Sequence, residues 1–502
     1  MAAVLQETST EQPTPVARQI ETGRRSLRQH AAHGTIVNAG FLIALTTLGL
    51  LKGFVVAKFL SRGDYGIWGI LVVGLGTLGW LKGSAISDKY IQQDEADQEL
   101  AFQRAFTLEL MLIGGFVALV LILVPLLALV YNQPRVIAPG LAVAFLLLPA
   151  IALQSPLWIF YRRMEFVRQR SLQAIDPVTS FVVTIALAAA GLGYWSLVIG
   201  AIVGASAAAL VSLRALPYRL AIRYDRGALR EYFSFSWPIF LSGLAGVVVA
   251  QGSLLVGNAV LGLGAVGVIT LASAITGYVD QADDIITTTL YPAICAVRDR
   301  TDLLFESFVK SNRLTLMWGV PFGLSLTLFA PDLVRFGLGH KWAPAVRLIQ
   351  IFGLIGASHH VGFNWSAFYR ARGDTRPIAI VGAFVTVLFM ACVVPLTVAD
   401  GLDGFGIAMA ISAAGALAAR TYYLTRLFPG FAMLRHAVRA IAPSVPAAAA
   451  VLVLRLVESG PRTVAMALSE VAVYIVVTVL ATIAMERPLL QEVIGYLRPR
   501  TT

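Results

Sequence analysis

Residues 60–70 read LSRGDYGIWGI, so Arg62, Asp64 and the glycines 63, 66 and 69 sit between two long apolar runs. A polar break this short, between runs each long enough to cross about 30 Å of hydrocarbon, reads as a hairpin between membrane helices. Gly63 and Gly66 are expected to let the chain reverse, with Arg62 and Asp64 at the water interface.

Working outward, the whole chain has the same character. It has 502 residues, of which 57% are hydrophobic and 13% charged. Its mean hydropathy is +0.76. A soluble globular protein carries roughly 25% charged residues, so the composition implies an all-α polytopic membrane protein. The net charge of +11 is dispersed over many short loops, which argues against a nucleic-acid partner. Cys295 and Cys392 lie in apolar runs and form neither a disulfide framework nor a metal-ligand spacing.

Apolar runs of about 20 residues begin near Thr35, Gly66, Ala105, Ala138, Pro177, Tyr194, Ser236, Ala265, Leu314, Val346, Pro377, Gly404, Ala437 and Val464, giving about fourteen spans. With the amino terminus inside, about 30 Lys and Arg fall on the cytoplasmic side and about 7 on the other, as the positive-inside rule requires. Both termini are therefore expected in the cytoplasm. Residues 1–33 form a basic tail carrying Arg18, Arg24, Arg25 and Arg28, and the run after them is too long for a cleavable signal.

The opening stretch recurs. Leu60, Gly63, Gly66 and Ile67 match Leu261, Gly264, Gly267 and Val268, 201 residues later. Phe160–Tyr161–Arg162 returns as Phe368–Tyr369–Arg370, at an offset of 208. GLGYWSL from Gly191 has a fainter echo in GLDGFGI from Gly401. Matches in the same order predict two parallel six-helix repeats, related by an axis along the membrane normal, as in transporters. The expected organisation is a tail at 1–33, an N-lobe at 34–215, a cytoplasmic inter-lobe loop at 216–235 and a C-lobe at 236–430. Two extra helices at 431–486 and a cytoplasmic tail at 487–502 complete it.

These residues carry a family resemblance. LSRGDYGIWGI, FYRRMEFVRQRSL (160–172), GLGYWSLVIG (191–200), LGLGAVGVITLA (261–272), LYPAICAVRD (290–299) and FGLGHKWAPAVRLIQI (336–351) together resemble the oligosaccharide flippases of the multidrug/oligosaccharidyl-lipid/polysaccharide superfamily. The likeness is to the colanic-acid-exporter-like polysaccharide transporters and runs from about residue 35 to 430. It implies two six-helix lobes in a V that alternate access, carrying a polyprenyl-diphosphate-linked oligosaccharide across the bacterial inner membrane. Exopolysaccharide, capsule or O-antigen biosynthesis is the implied setting, with membrane lipid and the pathway's polymerase and export proteins as partners.

Charges inside spans cost roughly 2.5–3.5 kcal/mol each on insertion scales and usually face a cavity. Lys52, Lys82 and Arg370 are the expected binding residues for an anionic lipid diphosphate. Asp280, Asp283 and Asp284 cluster at helical spacing in the eighth span, which reads as running from Ala265 to Val297. They are the expected site of coupling to Na+ or H+; no other cofactor and no resident metal is expected. His359 and His360 are weighed as titratable or as packing residues. Gln154, Gln251, Asn258 and Asn364 line a sugar path or join helices.

No catalytic residue is expected. A membrane glycosyltransferase or polymerase needs large external loops, and those here are about 5 to 15 residues. No phosphate-binding loop of an ATPase is present. A cation-coupled drug exporter and a peptidoglycan-precursor flippase are the alternatives within the same superfamily.

Overall fold

The computed structural model describes residues 27–82, 86, 90, 95–163, 165–227, 244–280, 294, 300–374, 376–458 and 460–497. Among these residues every regular element is helical. In lipid only an element that satisfies its own backbone hydrogen bonds is tolerated, and a long apolar run does so as a helix.

In chain order the helices are α1 (Leu27–Phe59), α2 (Arg62–Lys82) and α3 (Gln98–Val130). Next come α4 (Pro134–Arg162), α5 (Phe166–Ala189), α6 (Trp195–Arg214) and α7 (Leu244–Val256). α8 (Leu263–Thr276), α9 (Thr301–Asp332), α10 (Ala345–His359) and α11 (Trp365–Ala371) follow. α12 (Arg376–Leu427), α13 (Met433–Val457) and α14 (Val464–Leu497) complete the chain. Eight of the described helices are long and apolar enough to cross a membrane by themselves. The described part of each expected span falls on helical segments, with α10 and α11 sharing one and α12 holding two.

The boundaries differ from the hydropathy reading in informative places. The arginine-rich stretch after residue 162, expected as loop up to Pro177, is already helical from Phe166, because helical propensity carries on past the last apolar residue. α9 likewise begins at Thr301 rather than Leu314. The range α12 holds two helices that reverse at the expected hairpin in GLDGFGI. The backbone leaves helical geometry at Asp400 and at Gly401, whose φ of 60° suits a residue without Cβ, and Gly415 lies against Phe384 and Leu388.

The chain divides into two compact units. One holds Met1–Gly49, Leu75–Leu129 and Pro134–Leu241; the other holds Leu50–Gly74, Val130–Gln133 and Ser242–Thr502. The first is built on the α5–α6 pair, closely packed because Gly200 and Gly204 admit Thr184 and Asp176. The second centres on α9, α10 and α12, where Phe308, Phe368, Phe428 and Trp365 are core residues. Leu50–Gly74, the outer ends of α1 and α2, packs with this second unit.

Candidate functional site

The hairpin that opened the sequence reading is built from caps. Ser61 lies between α1 and α2, and its hydroxyl donates to Asp64 Oδ2 at 2.6 Å while the Asp64 amide donates back to Ser61 Oγ at 3.1 Å. This reciprocal pair fixes the first turn of α2. Gly63 and Gly66 are not the turn. Both lie inside α2, and the expectation that they reverse the chain is corrected. The reversal is left to Ser61; at the matching position 201 residues on it is left to Gly262, with φ of 83°.

What Gly66 and Gly69 provide is space. A Cβ on Gly66 would overlap the Leu263 carbonyl oxygen, and one on Gly267 would overlap the Arg62 carbonyl oxygen. One on Gly69 would lie 3.0 Å from Thr270 Cβ. At the offset of 201, position 66 corresponds to 267, 62 to 263 and 69 to 270. The seam between α2 and α8 is therefore reciprocal: each glycine meets the counterpart of its partner's neighbour, as in an isologous interface. Backbone meets backbone at Gly66 and Gly267, while the Leu263 side chain also lies on Gly66 and the Thr270 side chain fills the notch at Gly69. A cleft of about 700 Å³ lies at its end, lined by Ser61, Arg62, Gly264, Pro344 and Leu402 among others.

A second set of contacts seals the same corner. Trp342, wholly buried, donates from its indole to Ala57 O at 2.8 Å, and Lys341 Nζ donates to Lys58 O at 2.7 Å. Both close the last carbonyls of α1, where a donor and a positive charge are favoured. Tyr65 reaches Gly53 O at 3.1 Å and meets Trp342 edge to face at 5.2 Å. Burial pulls the Lys341 ammonium below its ordinary pKa, while the Asp64 carboxylate partly holds it up.

A different arrangement occupies the break between α10 and α11, where Gly362 has φ of 69°. Arg420 from α12, 5% exposed, donates to the His359 and Val361 carbonyls. Asn312 from α9 donates to His360 O at 2.8 Å and accepts from the Gly362 amide and from His436 of α13. His360 is wholly buried, with Nδ1 2.5 Å from Gly356 O and Nε2 3.1 Å from Val279 O. α4 is broken in the matching place, at residues 153–156, ahead of the first FYR. There Gln154 donates to Ala205 O at 3.2 Å. In both copies the phenylalanine is a wholly buried core residue.

The expected site residues are placed as follows. Lys52 is half-buried on α1 within the second unit and has interactions of its own. Lys82 ends α2 in the first unit. Arg370 is exposed on α11 and also has interactions. Asp280 closes the short 3₁₀ segment Gly277–Asp280 after α8. Asp283, Asp284 and the expected run of that span to Val297 lie outside the described residues. The polar residues weighed as a sugar path join helices: Asn258 donates to Tyr131 O at 2.8 Å, Gln251 meets the Tyr131 hydroxyl at 3.5 Å, and Asn364 donates to Ser311 Oγ at 2.8 Å.

Sequence reasoning missed the charge cluster that fastens the last two helices. Arg462 reaches Asp332 at 2.5 and 2.6 Å and Glu470 at 2.5 and 2.7 Å, and Arg455 adds Glu470 at 2.9 Å. These hydrogen bonds, Asp332's first, hold the Arg462 guanidinium above its ordinary pKa. At the other end Arg313 of α9 pairs with the buried Glu486 of α14. Charges at 455, 462 and 470 within apolar sequence were the available signal.

Comparison with known proteins gives a consistent result. A family model described as "Polysaccharide biosynthesis protein" matches residues 55–347, more than half of the chain. The lipopolysaccharide biosynthesis protein WzxC of Escherichia coli (strain K12) is 22% identical over 382 residues, covering 74% of this chain and 75% of that one. Among solved structures, the lipid II flippase MurJ in an inward closed conformation aligns with a TM-score of 0.63 at 14% identity, covering 91% of this chain and 100% of that one. An inward-facing multidrug resistance MATE family transporter aligns at 0.60 with 15% identity, over 78% of this chain and 98% of that one. These structural likenesses concern the fold.

Proposed function

Because the chain belongs to the polysaccharide biosynthesis protein family, we propose that it flips a polyprenyl-diphosphate-linked oligosaccharide across the bacterial inner membrane, for exopolysaccharide, capsule or O-antigen assembly. It does so as a multi-pass membrane protein with both termini in the cytoplasm, as the loop charges indicate. The pathway's polymerase and export proteins would act on what it delivers.

The structural observation that carries the reading is the reciprocal glycine seam. A transporter needs a barrier at one end that forms and parts without unpicking interlocked side chains. Close backbone approach at Gly66 and Gly267, with only the small Thr270 side chain seated at Gly69, meets that need. The matching breaks in α4 and α10 are a further feature of transporters, in which irregular backbone at membrane depth borders a cavity. In this reading the seam is the periplasmic closure, and parting it releases the outer ends of α1 and α2 from α8.

The cargo carries about two negative charges, which favours cations along its route. Lys52, Lys82 and Arg370 are the proposed contacts for the diphosphate, each as a positive group. Asp280, Asp283 and Asp284 are the proposed place for a coupling cation or proton. Outward movement of an anion is favoured by an inside-negative potential, by about 2.3 kcal/mol per charge per 100 mV, so ATP is not needed. The chain's own role is to bind, shield and release; no bond in the cargo changes.

The test is movement of a fluorescent polyprenyl-diphosphate oligosaccharide across proteoliposomes. Wild type should translocate it, and Lys52→Ala should slow it at least tenfold. No movement by intact, oriented protein across several glycans would overturn the flippase reading and favour export of small drugs. Unchanged transport in Lys52→Ala would keep the function and remove that lysine from the route.

A further inference from the structure

The break after α10 holds a histidine in an arrangement that one protonation state satisfies. Both ring nitrogens of His360 face carbonyl oxygens, Gly356 O at 2.5 Å and Val279 O at 3.1 Å. A neutral imidazole has one N–H and one lone pair, so one of these approaches would set lone pair against lone pair. The imidazolium donates to both.

The surroundings are built to the ring. A Cβ on Gly319 of α9 would come within 2.5 Å of the ring Cγ, so the notch exists only because that residue is glycine. Phe363 packs at 6.4 Å between ring centroids and His359 at 6.1 Å. The side chain is wholly buried. The ring also sits at the carbonyl end of α10, where the helix dipole favours a positive charge.

Charged and titratable groups approach from every packed element. Arg420 from α12 places a guanidinium on the neighbouring carbonyls of His359 and Val361. His436 of α13 reaches the same break through Asn312 of α9. His359 lies beside the ring on its own helix, and Val279 is flanked by Tyr278 and Asp280. Burial and Arg420 oppose the imidazolium, while two charge-assisted hydrogen bonds and the helix end favour it. The balance therefore depends on whether Val279 O is in place.

We infer that His360 is a proton-binding site of the transporter, charged while the segment Gly277–Asp280 lies against α10 and discharged when that segment withdraws. The step is a plain proton transfer: an N–H bond forms on the imidazole from a proton of bulk water and later returns it to water, with no redox change. Since the ring is shielded in the present arrangement, exchange with water belongs to the state in which Val279 has moved away. The coupling consequence rests on the transporter reading; the protonation itself does not.

The experiment is ¹⁵N NMR of histidine-labelled protein in lipid vesicles near neutral pH, without cargo. The chain has six histidines, so single His→Gln variants at 359, 360 and 436 assign the three around this break, each directly or by elimination should one variant fail to fold. The expected spectrum has a doubly protonated imidazole that survives His359→Gln and His436→Gln and disappears in His360→Gln. Neutral signals for His359, His360 and His436 alike, or a doubly protonated signal assigned to this break that survives His360→Gln, would overturn the inference. A second arm follows transport under an imposed gradient of about one pH unit. Wild type should change rate at least threefold and His360→Gln by less than half as much; an equal response in both would overturn the coupling. If no cargo moves at all, the flippase reading fails while the NMR result still decides the proton site.

Discussion

Two corners of the second unit hold helices together by opposite means. At the α2–α8 seam, glycines bring backbone against backbone, and the polar contacts around it are a helix cap and two donors to the end of α1. At the α9–α13–α14 corner, Arg455 and Arg462 are locked between Asp332 and Glu470, the latter wholly buried. The first contact leaves little uncompensated when it opens. The second leaves buried charge without a partner, and so is costly to open. The difference teaches which junction is suited to move and which to stay.

The strongest way to break this contrast is Arg462→Ala. It removes the bidentate partner of both Asp332 and Glu470, and a loss of about 3–5 kcal/mol is expected, read as thermal unfolding in detergent and as reduced yield. Arg462→Met with Glu470→Gln should recover part of it, because the stranded charge is removed as well. If Arg462→Ala unfolds like wild type, the corner is not a clamp.

Next in size is Gly267→Leu, which cannot coexist with the Arg62 carbonyl in the seam as it stands. Transport should fall at least tenfold, corresponding to about 1.4 kcal/mol or more against closure. Stability should change less than in Arg462→Ala. A cysteine pair at Ser61 and Gly262, in a background with Cys295→Ser and Cys392→Ser, should cross-link with a short bifunctional thiol reagent, because Ser61, Leu261 and Gly264 line one cleft at the end of the seam. Gly267→Leu should suppress that cross-link. A locked seam should stop transport; transport at the wild-type rate when locked contradicts an opening there.

Smaller effects sharpen the picture of what seals the seam. Trp342→Phe keeps most of the buried ring but loses the donor to Ala57 O, costing about 1 kcal/mol. Its readout is faster cysteine labelling at Ser61→Cys. Ser61→Ala removes the cap of α2 at a cost of about 0.5–1 kcal/mol, visible as increased amide exchange in the first turn and little change in transport.

The membrane spans were legible, in their described parts, because lipid imposes one length and one composition on whatever crosses it. The glycines of the opening hairpin were legible as special and misassigned in role. Read locally, Gly63 and Gly66 are turn residues; the neighbour of Gly66 across the seam lies some 200 positions away, and the reason for its having no side chain is found only there. The arginine-rich segment after Arg162 was misplaced as loop because hydropathy marks the edge of the membrane rather than the end of the helix. Asn258, Gln154 and Asn364 were seen as polar, yet nothing local says whether such a group faces water or a neighbouring carbonyl.

By itself the sequence determined the all-helical membrane architecture, the positions of the spans and the recurrence of the glycine hairpin and FYR motifs. These follow from local rules: hydrophobic length, loop charge and the matching of short segments. Only the tertiary structure decided that the two glycine hairpins meet each other, that Trp342 closes α1, that Arg462 clamps the last helices, and that both nitrogens of His360 find carbonyls. Each of those depends on distances between residues far apart in the chain, and packing alone sets them.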